Sequence, residues 1–175
     1  MRILVVDDHD VVRQGVLLIL KARPEWHVVG EAADGVEALQ KAKQLDPDVM
    51  ILDVSMPKRG GLEVLADLQK MKSRTNVLVL SMHESKELAS QVRRLGAAGY
   101  INKTNAGRDL LRALDSIASG NPFFPTEGSN MPKLPGEKGD KETGILREIT
   151  SEIVTRGRHI LKAAAITAIT PKWAY

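Results

Sequence analysis

Asp7 and Asp8, Asp53, Ser81 and Lys103 each follow a short apolar run of the chain, and together they offer one chemistry. Three carboxylates within a few ångström of one another would raise each other's pKa unless a cation sat among them. Oxygen ligands with no His or Cys favour a hard ion, and Mg²⁺ suits a shallow site that keeps several waters. A hydroxyl and an ammonium beside them form an anion site, and the anion that would use every one of these groups is a phosphoryl group carried on Asp53. The plainer alternatives are that Asp53 caps a loop and that Asp7 and Asp8 cap a helix N-terminus.

These residues matter only if the elements around them bring them together. Val49-Met50-Ile51-Leu52, ahead of Pro57 and the Gly60-Gly61 pair, reads as a strand buried on both faces, with Asp53 at its end. Pro57 fixes its own φ and disfavours helix at Met56, so the loop after Asp53 is expected to stay extended. Arg2–Val6 is a first strand ending at Asp7 and Asp8. A helix follows from about Asp10 to Ala22, with Val11, Val12, Val16, Leu17, Leu18 and Leu20 on one wide face and Pro24 as its stop. Trp26–Ala32 is a second strand. Asp34 with Glu37 has capping-box spacing for a helix through Val36, Leu39, Ala42 and Leu45. Further on come a helix through Leu62, Val64, Leu65 and Leu68 and a strand from Asn76 to Leu80. Ser85 caps a helix to Leu95, which Gly96 ends; Gly99–Asn102 is a fifth strand, and a last helix spans about Ala106 to Ser119.

Five βα units predict an α/β fold with a doubly wound five-stranded parallel sheet, since each crossover must be right-handed and cover one face. The expected strand order is 2-1-3-4-5. It makes the ends of strands one and three neighbours, so that Asp7, Asp8 and Asp53 converge at the switch point.

The 175 residues, 43% hydrophobic and 27% charged, fit one globular domain plus additional chain. With no cysteine, disulfide and thiol chemistry are excluded. No apolar run approaches the roughly 20 residues of a membrane span, and MRILVVDD has no signal-peptide pattern, so a cytoplasmic protein is expected. A formal charge of +3 is weak evidence for nucleic-acid binding.

Asp-Asp after strand one, Asp53-x-x-Met56-Pro57 after strand three, Ser81 after strand four and Gly99-Tyr100-x-x-Lys103 at strand five resemble the receiver domain of two-component response regulators. VVDDHDVVRQGV, LDVSMP, LSMHE and GAAGYINK are similar to receivers of the NarL/FixJ type. The resemblance covers about residues 1 to 121, and it also underlies part of the expected flavodoxin-like strand order. It implies phosphorelay signalling. Asp53 would be the phosphoacceptor. Mg²⁺ would be held directly by Asp8, the Ser55 carbonyl and Asp53, with Asp7 acting mainly through water. Lys103 and Ser81 would contact phosphate oxygens. Ser55 and His83 would tune dephosphorylation. A sensor histidine kinase or a small acyl phosphate would be the donor, and the protein would catalyse only its own phosphorylation and dephosphorylation rather than act as an enzyme on other substrates. Ser81 and Tyr100 would move on phosphorylation and reshape the helix 4, strand 5, helix 5 face, through which a homodimer could form. Read from the residues alone, Tyr100 is an ordinary strand aromatic. Thr104 follows Lys103 where many receivers carry proline, a departure that puts the cis-proline turn of those proteins in doubt.

The domain plan is then a receiver at 1–120, a Pro-, Gly- and Lys-rich linker at 121–144 and a short helical tail at 145–175. Ile145, Leu146, Ile149, Ile153 and Val154, then Ile160, Leu161, Ala164 and Ile166, fit two amphipathic pieces hinged near Gly157. The tail resembles a degenerate remnant of the family's helix-turn-helix; its roughly 30 residues are fewer than the ~40 a domain needs to fold unaided. DNA contact through Arg156, Arg158, Lys162 and Lys172 is therefore expected to be weak. A DNA-binding regulator and an aspartyl-phosphate phosphohydrolase are the competing functions. The second would want a general acid two residues after Asp53, where Ser55 stands.

Overall fold

Parallel strands can be joined only by crossovers, and short apolar runs alternating with amphipathic stretches leave little choice but to stack helices on both faces of one sheet. The computed structural model describes residues 1–82 and 85–124, which form that arrangement. In chain order the elements are β1 (Arg2–Val6), α1 (Asp10–Leu20), β2 (His27–Ala32), α2 (Gly35–Leu45), β3 (Val49–Asp53), α3 (Gly61–Lys70), β4 (Asn76–Ser81), α4 (Lys86–Arg94), β5 (Gly99–Asn102), a 3-10 turn (Lys103–Asn105) and α5 (Ala106–Ala118). The sheet is parallel throughout, in the order β2-β1-β3-β4-β5.

Register places the chemistry. Val6 pairs with Leu52, so the next residues, Asp7 and Asp53, leave neighbouring strands side by side. Asp53 pairs with Leu80 and Ser81 with Asn102, which brings Ser81 and Lys103 to the same rim. Alternation along each strand divides the core in two. Leu4, Val6, Met50, Leu52, Val77 and Val79 face α2, α3 and α4, while Ile3, Val5, Ile51, Leu78 and Leu80 face α1 and α5. β3 is buried at every position, as a central strand covered on both sides must be. Each of its Ile and Leu side chains contributes about 1.5–3 kcal/mol by burial, and a charge at Ile51 would break the layer.

Several expected details change. α1 ends at Leu20 rather than Ala22, because Ala22 and Arg23 donate to the carbonyls of Ile19 and Leu20 three residues back and tighten the last turn before Pro24. The apolar face of α1 is narrower than expected: Ile19 is buried, but Val11 and Leu18 are 50% and 44% exposed. β2 starts at His27, not Trp26. Asp34 caps α2 as expected, accepting from the Val36 and Glu37 amides, yet Glu37 reaches back to the Ala33 amide instead of that of Asp34. Gly96 and Gly120 adopt positive φ just beyond the ends of α4 and α5. No cis peptide bond occurs among the described residues. The packed body continues past Gly120. Phe123 donates to the Ala98 carbonyl (2.9 Å), Tyr100 donates to the Phe123 carbonyl (2.8 Å), and Phe124 is buried under the Arg93 guanidinium. The remainder of the expected linker and the helical tail, 125–175, lie outside the described residues, as does His83. No described helix is long and apolar enough to cross a membrane.

Candidate functional site

The rim at the C-terminal ends of β1, β3, β4 and β5 carries the charge cluster. Asp7 and Asp53 are almost wholly buried. The Lys103 ammonium lies between them, 2.7 Å from Asp7 Oδ2 and 2.8 Å from Asp53 Oδ2, with its own side chain only 5% exposed. Asn102 shapes the turn that delivers this lysine: its side-chain oxygen accepts from the Thr104 amide and hydroxyl, both at 2.8 Å. Asp7 is fixed by the His9 amide, which donates to Oδ1 at 2.9 Å. Asp53 Oδ1 accepts a longer bond from the Ser55 amide, at 3.3 Å. Asp8 is part-buried, and His9 Nδ1 stands 2.9 Å from its Oδ1. Ser81 is buried at the end of β4, Ser55 is exposed on the loop, and Tyr100 is buried in β5, packed with Val92, Ala97 and Phe124.

Burial is the main cause that lifts the Asp7 carboxyl above the usual carboxylate range; Lys103 and the His9 amide oppose it, and the Asp53 charge adds to the rise. Asp7 Oδ2, Asp8 Oδ1 and Asp53 Oδ2 are buried yet accept no hydrogen bond of good geometry. The Lys103 ammonium stands against two of them, and the His9 ring lies beside the third. Ligand atoms of Asp7, Asp8, His9 and Asp53 lie within 4.8 Å of one another. Crowded carboxylate oxygens with spare lone pairs fit a hard divalent cation. Cavity size does not mark this rim: a surface hollow of about 710 Å³ opens instead between the C-terminal ends of α2 and α3.

The match to known proteins decides the family. The response regulator receiver domain profile matches residues 3–115. The chain belongs to the response regulator receiver family. Among relatives, it is 40% identical over 125 residues to the oxygen regulatory protein NreC of Staphylococcus carnosus, covering 71% of this chain and 58% of NreC. It is 33% identical over 165 residues to the transcriptional regulatory protein YdfI of Bacillus subtilis, covering 94% of this chain and 75% of YdfI. The isolated REC domain of RcsB from Salmonella enterica serovar Typhimurium, solved in the presence of phosphomimetic BeF3⁻, superposes with a TM-score of 0.67 at 29% identity, covering 71% of this chain and 93% of that one. The receiver is thus a phosphorelay signalling module related to regulators of transcription.

The structure brings together Asp7, Asp8, Asp53 and Lys103, and puts Ser81 on the same rim. It gives Tyr100 an inward position. His9 joins the cluster without having been expected there, although its place directly after the Asp-Asp pair was a signal. Asp34 is more than the expected helix cap. Asp34 Oδ2 also meets the Lys58 ammonium at 2.6 Å, and so ties α2 to the loop between β3 and α3. The Glu37 amide, then Lys58, hold the Asp34 carboxyl below its ordinary value, and Asp34 in turn raises Lys58.

Proposed function

We propose that Asp53 is the phosphoacceptor of this receiver and that Mg²⁺ assists from Asp7, Asp8, Asp53 and the Ser55 carbonyl. The observation that supports it best is the pair of buried Asp7 and Asp53 oxygens facing a single ammonium. The ion supplies positive charge where phosphate oxygens crowd the carboxylates.

An Asp53 carboxylate oxygen attacks the phosphorus of a phosphohistidine on a sensor kinase, or of a small acyl phosphate. The P–N or P–O bond to the donor breaks, and an aspartyl phosphate forms. Lys103 is already within contact of Asp53, and it pairs with an oxygen of the arriving group. Ser81 donates its hydroxyl to another, and positioning and charge neutralisation do most of the work. Ser55, exposed two residues after Asp53, and His83 set how readily water reaches the product. Tyr100 then reports the new charge to the surface of α4, β5 and α5, the face through which copies pair. Transcription is the output, and the histidine kinase is the partner.

The test is Phos-tag electrophoresis after incubation with acetyl phosphate. A retarded band that needs Mg²⁺ and is lost in Asp53→Asn is expected. A band of equal intensity in Asp53→Asn, or in chelator, would overturn the reading.

A further inference from the structure

Lys58 has φ of 62°, in the left-handed region that a side chain of its kind rarely adopts. Around it the Arg59 amide donates to the Pro57 carbonyl at 2.7 Å. A bond from residue i+2 back to i over a central residue of positive φ is the strained form of γ-turn, and such a conformation persists only where its surroundings over-determine it. Here they do. Lys58 Nζ meets Asp34 Oδ2 at 2.6 Å, while Asp34 Oδ1 is engaged by the first amides of α2. Directly behind, the backbone of Arg59 lies on Gly35, where an added Cβ would stand 2.2 Å from the Arg59 carbonyl oxygen. Arg59 is tied forward to Asp67 of α3 at 2.5 Å. The same loop begins at Asp53, carries Ser55, and closes with the Gly61 amide donating to the Val54 carbonyl at 3.0 Å.

We propose that the Lys58–Asp34 ion pair is a positioning clip for the cation loop: it holds residues 54–60 in the strained turn that sets where the Ser55 carbonyl stands relative to Asp53. The proposal rests on the reading of the site as a Mg²⁺ site. Neither residue reaches the carboxylates; both act through the backbone between them and Ser55. Relief of strain and loss of the clip are separated by comparing two positions, since Lys58→Gly makes both changes and Asp34→Ser only the second. In Lys58→Gly the residue adopts positive φ at no steric cost, so the fold keeps or gains stability while the clip is lost. Lys58→Arg keeps a cation for Asp34, and Asp34→Ser keeps the helix cap while removing the carboxylate.

The experiment is isothermal titration of the full chain with Mg²⁺, beside thermal melting and hydrogen exchange at the Gly61 amide. Expected is a Kd weakened by roughly two- to fivefold in Lys58→Gly, the range a surface ion pair can supply, with an unchanged or higher melting temperature. The same weakening is expected in Asp34→Ser and no further weakening in the double variant, with recovery in Lys58→Arg. Exchange at Gly61 should quicken in Lys58→Gly with no metal present. Mg²⁺ bound as tightly by Lys58→Gly as by the parent would overturn the clip. A parent that takes up no Mg²⁺ would instead overturn the cation reading, and unchanged exchange at Gly61 would then overturn the clip independently.

Discussion

Asp7 and Asp34 follow neighbouring strands, both are buried, and their surroundings push them in opposite directions. Asp34 sits on the N-terminus of α2, where two amides and the Lys58 ammonium meet its two oxygens. Fixed dipoles of this kind solvate a carboxylate inside the fold, as water would outside. Asp7 has one amide and half of an ammonium, because Lys103 is shared with Asp53. One carboxylate is complete as folded, and the other is short of positive charge. On the proposed reading of the site, receptivity to a cation comes from withholding partners at Asp7, not from gathering acids as such.

The largest effect should come from Lys103→Met. Removing the one cation between two buried carboxylates is expected to cost the metal-free domain about 3 kcal/mol or more, measured by urea unfolding in chelator. A loss below about 1 kcal/mol would mean that the pair is already neutral, and the contrast with Asp34 would fail. Next is Asp34→Ala, which deletes the cap of α2 and should lower the melting temperature by roughly 4–8 °C, with Asp34→Ser recovering most of it. Asp7→Asn should act with the opposite sign. In chelator it is expected to raise the melting temperature by a few degrees, roughly the effect of a kcal/mol or less, and to abolish any further rise on adding Mg²⁺.

The smallest and sharpest effect is in pH. The Asp7 carboxyl is raised in the folded state above its ordinary 3.8, so within that window the folded protein holds more protons than the unfolded one. Its contribution to stability therefore increases as pH falls from neutrality through the raised value and levels off near 3.8. Asp34 is lowered, so the stability it gives is present above 3.8 and lost as pH falls through its depressed value. Melts of Asp7→Asn between pH 7 and 4 should lack the acid-side gain of the parent. Parallel curves for the two proteins would break the comparison.

What was legible in the sequence was what local pattern controls. The apolar runs marked all five strands, and the strand order then put Asp7 beside Asp53 and carried Lys103 to the same rim. Boundaries drifted where the signal was weak: Val11 and Leu18 are apolar but face outward, since α1 needs only a stripe containing Val16, Ile19 and Leu20 to cover its part of the sheet. Phe123 and Phe124 follow the terminating Gly120, so nothing local revealed that the chain would return along β5. The tie between Asp34 and Lys58 was equally hidden. It joins residues 24 apart across two elements and depends on a positive φ at a lysine, which no sequence propensity anticipates.

The most direct test of the central claim is to locate the phosphoryl group. An acyl phosphate is reduced by borohydride to an alcohol, so a phosphorylated aspartate is left as homoserine, which tandem mass spectrometry can assign to one residue. After acetyl phosphate and Mg²⁺, the expected result is reduction at Asp53 alone, dependent on Mg²⁺. Reduction at Asp7 or Asp8, or at no aspartate in protein that has taken up phosphate, would contradict it.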